Sequence, residues 1–353
     1  SINGGSNKTR YSASLSYTDQ EGVVINSGYE RYQEKLYLDH YLTDKVRFNI
    51  GFDHINDKGY GEIASTSTVG TQTYASYLLY RTWGYRPILG KDAVDITNEF
   101  LDPDANDTRV NPVMDTKNSQ REKKGEYVRY NARLYYKITK DLELQIKGGI
   151  YNRTFRETGF YGSETSRGSL LLSGNTKGIN GTVNFRELKT WLNENTLTYN
   201  KKFGIHSLNL LRGWTSQQTK DERWQLSGEQ LPVEEMGLSG LDPGIPGAIS
   251  AYQATNRMMS FFGRVNYDLM SKYLFTATLR ADGSSKFHPD NQWGYFPSFA
   301  MAWRISEEKF MKNLSFIHNT KLRLSYGQTG NDNVGDYVRM HQMSTDYQYH
   351  YPI

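Results

Sequence analysis

The most constraining feature of this sequence is the regular alternation of apolar and polar residues along many separate segments. Between residues 10 and 20, Tyr11, Ala13 and Leu15 alternate with serines, and the same period of two recurs around Phe48 and Leu134. Successive side chains of a β-strand point to opposite faces of a sheet. The alternation therefore predicts strands that each have one apolar and one polar face.

The alternation predicts eleven strands, and most of them are long. Their approximate ranges are 10–20, 30–42, 45–56, 125–138, 142–156, 186–199, 206–217, 257–268, 272–282, 294–305 and 319–329. Strands of soluble proteins average about 5–6 residues, whereas a strand that crosses a bilayer needs about 9–11. The strand lengths therefore favour a protein that crosses a membrane with strands.

The connections between these strands alternate between short and long. Residues 43–44, 139–141, 200–205 and 268–271 form the short ones, and residues 57–124, 157–185 and 218–256 form the long ones. Outer-membrane barrels have short periplasmic turns and long extracellular loops. The pattern predicts an all-β protein, an antiparallel transmembrane β-barrel, with its apolar strand faces towards lipid. The residues expected to face lipid include Leu15, Phe48, Ile50, Leu134, Leu144, Phe275 and Leu279.

Composition excludes several other classes of protein. Hydrophobic residues make up 37% of the chain, and no run approaches the 18 apolar residues of a membrane helix. There is no cysteine, so disulfide scaffolds and thiolate metal sites are excluded. The 42 basic residues nearly balance the 38 acidic ones, and nucleic acid is therefore not expected as a partner.

Two connecting segments carry helical signals. Ser306 is a suitable N-cap, and Glu307 and Glu308 follow it where the helix dipole favours acidic residues, which predicts one or two helical turns. Residues 74–85 are rich in Tyr and Leu and fit either a short buried helix or a folded loop.

Known catalytic and metal-binding motifs do not fit this sequence. Residues 102–106 begin like a calcium-binding loop, but Asp107 stands where that loop needs glycine and Val113 where it needs glutamate. The segment Gly237–Gly240 lacks the final spacing of a hydrolase nucleophile elbow, and the seven histidines have no ligand spacing. We therefore expect no enzyme activity, no cofactor and no metal.

Several stretches resemble one family of transporters. They are TRYSASLSYTDQEGVV at residues 9–24, NTLTYN at 195–200 with GIHSLN at 204–209, GRVNY at 263–267, KYLFTATLRADGSSKF at 272–287, WGYFPS at 293–298, AWRISEE at 302–308 and LRLSYGQTGN at 322–331. Together they resemble the barrel of SusC/RagA-type TonB-dependent transporters.

The resemblance implies an active nutrient importer in the outer membrane of a Gram-negative bacterium. The family's barrel has 22 strands around a plugged lumen, is driven by TonB, and works with a SusD-like lipoprotein that captures glycans or peptides. Residues 1–353 are then expected to be part of such a barrel, its N-terminal half, with the plug domain, the TonB-binding region and the C-terminal strands outside this chain. Two alternatives stay open: a passive porin-type channel or barrel enzyme, and a surface β-protein that binds glycans without transport.

Aromatic and basic residues of the long loops are the candidate substrate contacts. They are Trp83, Tyr85, Arg86, Tyr161 and Trp224. Trp and Tyr can stack on the apolar faces of sugars or peptides, while Arg supplies planar hydrogen-bond donors. The alternative is that these aromatic side chains only pack the loops against their neighbours or a lid.

Overall fold

The computed structural model consists of one antiparallel sheet whose strands follow one another in chain order. It describes residues 1–62, 78–85, 100–101, 110–172, 174–311, 319–337 and 340. Within these residues the sheet has twelve strands, ordered β1 to β12, and it is open. The strands are β1 (Ile2–Gly5), β2 (Thr9–Glu21), β3 (Gly28–Tyr41), β4 (Val46–Tyr60), β5 (Ser119–Lys137), β6 (Leu142–Tyr161), β7 (Asn180–Phe203), β8 (His206–Glu229), β9 (Ile245–Leu269), β10 (Tyr273–Ser284), β11 (Trp293–Arg304) and β12 (Lys321–Gly327).

The pairing register unites the apolar residues of neighbouring strands on one face. Phe48 lies opposite Leu134, which in turn lies opposite Ile146. Residues directly opposite each other in antiparallel strands share a face. Followed across the sheet, the register places all seven residues predicted to face lipid on this apolar face, and it places Arg47, Arg133 and Thr278 on the other, polar face.

The two faces differ in crowding. Large apolar side chains of the apolar face stay exposed, among them Leu15, Ile50 and Leu279. Away from the strand ends that carry the long loops, the buried strand side chains of the described residues belong to the polar face, including Asp39, Asn49, Asp221, Ala254 and Ser260. Curving a sheet crowds side chains on its concave side, so we infer that the polar face is concave and the apolar face convex.

Connections of very different size leave the two ends of the sheet. Residues 42–45, 138–141, 204–205 and 270–272 connect strands at one end, called here the turn end. Residues 22–27, 61–118, 162–179, 230–244 and 285–292 leave the opposite end, called the loop end. The predicted alternation of short and long connections is confirmed, except that residues 305–320 form a longer connection at the turn end.

The strands extend farther towards the loop end than the sequence predicts. β7, β8 and β9 have 24, 24 and 25 residues, so the connections predicted at 157–185 and 218–256 shrink to 162–179 and 230–244. On the apolar face the continuous apolar band ends near Glu34, His54 and Lys189, and the next residues of β7 and β8 towards the loop end are mostly polar on both faces, until Phe185 and Trp224. The period of two in hydrophobicity disappears there, although the backbone pairing continues.

Three local expectations need correction or completion. The short strand β1 was not predicted, because Ile2–Gly5 has a single apolar residue and two glycines. The connection after β11 contains two 3₁₀ turns, Ile305–Glu307 and Lys309–Met311, and Ser306 lies inside the first turn whose N-cap is Arg304. Of the ambiguous segment 74–85, the described part forms the helix α1 (Leu78–Gly84).

The helices of the described residues are short. α1 and a second helix, α2 (Pro112–Asn118), have seven residues each and belong to the long connection between β4 and β5. In the part of the chain that the structure describes, no helix has the length and apolar character needed to span a membrane.

Candidate functional site

The loop end carries a packed cap made of α1, α2 and the connection 162–172. Asp115, Thr165 and Ser169 are almost fully buried there. The side chain of Asn111 starts α2, since its oxygen accepts hydrogen bonds from the backbone N–H groups of Val113 and Met114 at 3.0 and 3.4 Å. This cap holds part of the long loops in a defined position above the sheet.

A buried ion pair joins the parts of the cap. The Arg81 guanidinium of α1 lies 2.5 Å from the Asp115 carboxylate of α2, and their side chains are only 8% and 1% exposed. Asp115 also accepts a hydrogen bond from the backbone N–H of Ser166 at 2.5 Å, and Arg81 donates to the Ser166 hydroxyl. Burial lowers the pKa of the Arg81 guanidinium, while the charge of Asp115 opposes that shift.

The structure does not bring the predicted substrate contacts into one site. Tyr161 ends β6 on the polar face, is buried, and accepts a hydrogen bond from Arg167 at 2.6 Å. Trp83 is 70% exposed on α1. Trp224 lies on the apolar face of β8 and packs on Phe185 with ring centroids 5.2 Å apart.

The two other predicted contacts are Tyr85, which directly follows α1, and Arg86. The backbone N–H of Tyr85 donates to the carbonyl of Arg81 at 2.9 Å. Arg86 lies outside the described residues. The role of all five residues in substrate binding stays a prediction.

The polar face itself carries an aromatic–arginine cluster, formed by Tyr127, Tyr151, Arg153 and Phe155. The Arg153 guanidinium lies 4.3 Å from the Tyr127 ring centroid and 3.9 Å from that of Phe155. The Tyr127 and Phe155 rings meet edge to face at 5.9 Å, and Tyr127 and Tyr151 are 6.3 Å apart. Such a cluster offers both planar donors and ring faces to a ligand.

A second polar-face cluster lies near the loop end of β7 and β8. The buried Asp221 carboxylate accepts two hydrogen bonds from Arg186, at 2.9 and 2.8 Å, and further bonds from Arg223. Arg223 also lies over the Tyr252 ring at 5.0 Å. Two guanidinium groups thus share one carboxylate, and Asp336, which accepts a hydrogen bond from Tyr252 at 3.3 Å, brings a second carboxylate to the group.

Sequence reasoning did not single out these polar-face residues. In the alternation, Tyr127 and Tyr151 stand at positions of the polar face, where small or charged residues are usual. Two aromatic residues at such positions are the signal that could have identified them. Arg153 and Phe155 meet Tyr127 only through the register of β5 with β6.

Comparison with known proteins supports one family. Residues 74–348 match the family model described as TonB dependent receptor-like, beta-barrel. The chain is 32% identical over 351 residues to the TonB-dependent receptor P3 of Formosa agariphila and 30% identical over 370 residues to the TonB-dependent receptor SusC of Bacteroides thetaiotaomicron. These alignments cover 98% of this chain but 34% and 35% of the relatives, so the chain spans about a third of their length.

A solved structure shows the same fold. A chain of the RagAB peptide transporter superposes with a TM-score of 0.75 at 20% identity, covering 95% of this chain and 37% of that chain.

Proposed function

The chain belongs to the TonB-dependent receptor-like β-barrel family, and from this membership we propose that it forms part of the barrel wall of an active nutrient importer in a Gram-negative outer membrane. Members of this family are outer-membrane transporters, SusC among them, and not enzymes. Because the chain spans about a third of its relatives, the activity belongs to a longer protein. We also propose that residues 1–353 form roughly the N-terminal half of a 22-stranded barrel.

One observation carries the proposal: the register sorts the side chains into a convex apolar face and a concave polar face. An apolar outer surface suits contact with lipid, and a polar inner surface suits a water-filled or plugged lumen. An open sheet in hydrocarbon would leave unpaired N–H and C=O groups at β1 and β12, each costing several kcal/mol. Further strands from the longer protein are therefore needed to close the barrel.

We further propose that the importer takes up glycans or peptides together with a SusD-like lipoprotein. The loop-end connections 61–118, 162–179 and 230–244 are the surface we assign to that lid, since loops held by a rigid scaffold commonly carry recognition. The shared fold with the RagAB peptide transporter supports peptides as one ligand class.

Among the predicted substrate contacts, Trp83 and Tyr161 fit this proposal best. Both belong to the loop end, where an arriving ligand meets the barrel. Trp224 points away from the concave face, so we expect Trp83→Ala to reduce uptake more than Trp224→Ala. Equal loss of uptake in both variants, with normal barrel assembly, would argue against this assignment.

A growth experiment tests active import. Strains lacking this gene, lacking TonB, or complemented with the gene are grown on maltodextrins or on a tryptic digest of casein as sole carbon source. Active import predicts that the gene deletion and the TonB deletion fail on the same nutrient. Growth that needs the gene but not TonB would instead support the passive channel, and failure of the protein to fractionate with the outer membrane would support the surface glycan-binding protein.

A further inference from the structure

A polar indentation enters the apolar band at β7 and β8. The pairing of these strands places its side chains next to one another on the apolar face. Leu208 and Leu210 follow on β8 towards the turn end, whereas Gln218 and Lys220 follow towards the loop end. The indentation is therefore closed by apolar residues on one side and open towards the loop end. We call it the Arg212 indentation, and it consists of Asn193, Asn195, Arg212 and Ser216.

Two glycines widen the Arg212 indentation. Gly148 of β6 lies opposite Asn193, and a Cβ added there would meet nothing within 4 Å. Gly263 of β9 lies opposite Arg212, and an added Cβ would meet only the Leu211 carbonyl at 3.7 Å. Both sides of the indentation therefore leave space for a bound group.

Arg212 is a charged residue on the face proposed to meet lipid. Its side chain is exposed, and its guanidinium forms no hydrogen bond or ion pair with any residue that the structure describes. In the proposed barrel a plug lies on the opposite, polar face, and the closing strands pair with β1 and β12, so neither covers Arg212. A charge on the lipid-facing surface destabilises a barrel. The arrangement therefore favours an anionic partner from the membrane side.

A second arginine borders the indentation towards the loop end. Arg257 of β9 is exposed and donates a hydrogen bond to the side-chain oxygen of Gln218 at 2.9 Å, but it forms no ion pair within the described part of the chain. Lys189 and Lys220 lie opposite each other at the border of the apolar band, and each forms an ion pair with a glutamate of its own strand, at 2.8 and 2.6 Å. The lysines are therefore neutralised, whereas Arg212 and Arg257 are not.

A second copy of this chain does not supply the missing anion. Between the turn end and the level of Glu34, His54 and Lys189, the described residues of the apolar face include no aspartate or glutamate. A copy that met this face across a two-fold axis would present the same residues. It would therefore bring further arginine side chains to the indentation and no carboxylate from the apolar band.

The outer leaflet of the membrane does supply an anion at this position. In the proposed orientation the loop end is extracellular, and the lipid there is lipopolysaccharide, whose lipid A part carries phosphate on glucosamine. Phosphate oxygens accept strong hydrogen bonds from guanidinium groups. Trp191 and Trp214 lie beside the indentation, opposite Gln218 and Asn195, and tryptophan is enriched where acyl chains meet headgroups.

We propose that the Arg212 indentation binds a phosphate group of lipid A, so that a lipopolysaccharide molecule occupies a defined position on the outside of the barrel. Arg212 and Arg257 bind the phosphate from the two sides of Asn193 and Ser216, and the glycines provide the space. This inference rests on the proposed outer-membrane location with the loop end outside, and it concerns the surrounding lipid and not the imported ligand.

Native mass spectrometry of the purified full-length protein in detergent tests the proposal. The probes are diphosphoryl lipid A and the same lipid after removal of its phosphates by alkaline phosphatase. We expect the wild type to bind diphosphoryl lipid A more tightly than the dephosphorylated lipid. The double variant R212Q/R257Q should bind diphosphoryl lipid A at least about tenfold more weakly, since hydrogen bonds to charged groups are the stronger ones. Dephosphorylated lipid should bind the double variant and the wild type equally.

Two further variants separate this effect from general loss of charge or structure. Arg264→Gln removes an exposed arginine that directly follows Gly263 but belongs to the polar face, opposite Leu211 and Thr278, and it should leave lipid A binding unchanged. Gly148→Phe fills the space beside Asn193 without a close contact of its Cβ. It should weaken lipid A binding while heat-resistant barrel assembly is retained.

The outcomes decide the proposal. Equal binding of the two lipids by the wild type, an R264Q effect as large as that of the double variant, or unchanged lipid A binding in G148F would each overturn it. A disulfide between two copies that carry Ser216→Cys, formed in native outer membranes with all other cysteines replaced by serine, would place a second copy on the indentation and also overturn it. TonB-dependent growth together with equal binding of the two lipids would overturn only this inference and leave the import function standing.

Discussion

Replacing Asp115 by asparagine is expected to open the cap at the loop end. Asp115 is 1% exposed and Arg81 is 8% exposed, so the substitution leaves a buried guanidinium without its carboxylate. Removing one partner of a buried ion pair typically costs about 3–5 kcal/mol. Because the pair joins α1, α2 and Ser166, this cost falls on the cap and not on the strands.

Hydrogen exchange of the full-length protein measures this effect. The amides to follow are those of Ser166 and Ser169, which donate to Asp115 at 2.5 Å and to the Thr165 carbonyl at 2.9 Å. A cost of about 3–5 kcal/mol corresponds to exchange faster by about two to almost four powers of ten. Amides in the middle of β7 and β8 serve as the internal reference and should not change.

A double variant provides the matched control. Replacing both partners, R81M/D115L, removes the charge pair together, and substitutions of this kind are often close to neutral. Slow exchange of Ser169, whose N–H donates to the Thr165 carbonyl, should therefore return, whereas the Ser166 N–H loses its acceptor in this variant and stays fast. Unchanged exchange in D115N, or exchange of Ser169 as fast in the double variant as in D115N, would refute the claim that this ion pair holds the cap together.

Three further predictions concern the turn end and the apolar face. Hydrogen bonds from Tyr273, Lys272 and Trp303 lower the pKa of the Glu308 carboxyl from 4.5 to about 2. The stability that these bonds contribute is present above about pH 4.5 and is lost as the pH falls towards 2. The fluorescence of Trp303, measured as the difference from a W303F variant, should therefore depend on pH in this range, and the dependence should weaken in E308Q. Gly204 has φ 57° and an added Cβ would meet nothing within 4 Å, so Gly204→Ala should lower the free energy of unfolding by roughly 1–2 kcal/mol, seen as a lower urea midpoint in liposomes. Leu279→Arg should destabilise the lipid-embedded barrel by about 2–4 kcal/mol in the same assay, whereas Thr278→Arg on the polar face should change it by much less.

The two faces of the sheet could be predicted from the sequence because, in the part of each strand nearer the turn end, apolar residues recur at every second position, which is also the period at which side chains return to the same face. Leu134 and Arg133 were assigned to opposite faces from the alternation alone, and the register confirms them. From Gln217 to Arg223, in the part of β8 nearer the loop end, both faces are polar, so the pattern no longer marks the strand there. Boundaries there depend on pairing with β7 and β9, which no local pattern contains.

The candidate site was much less predictable than the fold. The aromatic–arginine cluster depends on Tyr127 lying beside Arg153 and Phe155, and only the register of β5 with β6 creates that neighbourhood. The ion pair of Arg81 and Asp115 was likewise not predicted, because both charged side chains are buried, whereas charged side chains are usually exposed to solvent. Aromatic residues in loops were the available signal, and they selected Trp224, which lies on the apolar face.

The central claim is that this chain forms a barrel wall with lipid on its apolar face and water on its polar face. Residues 1–353 contain no cysteine, so single cysteines introduced there report defined positions once every cysteine in the rest of the full-length protein is replaced by serine. We would place them at Leu15, Phe48, Leu134 and Leu279, and at Ser16, Arg47, Arg133 and Thr278, in the full-length protein within outer membranes. A bimane label at the first four positions should be quenched by brominated lipid, and the second four should react with a water-soluble maleimide. The opposite pattern, with water access at Leu15 and lipid protection at Ser16 and their equivalents, would contradict the account.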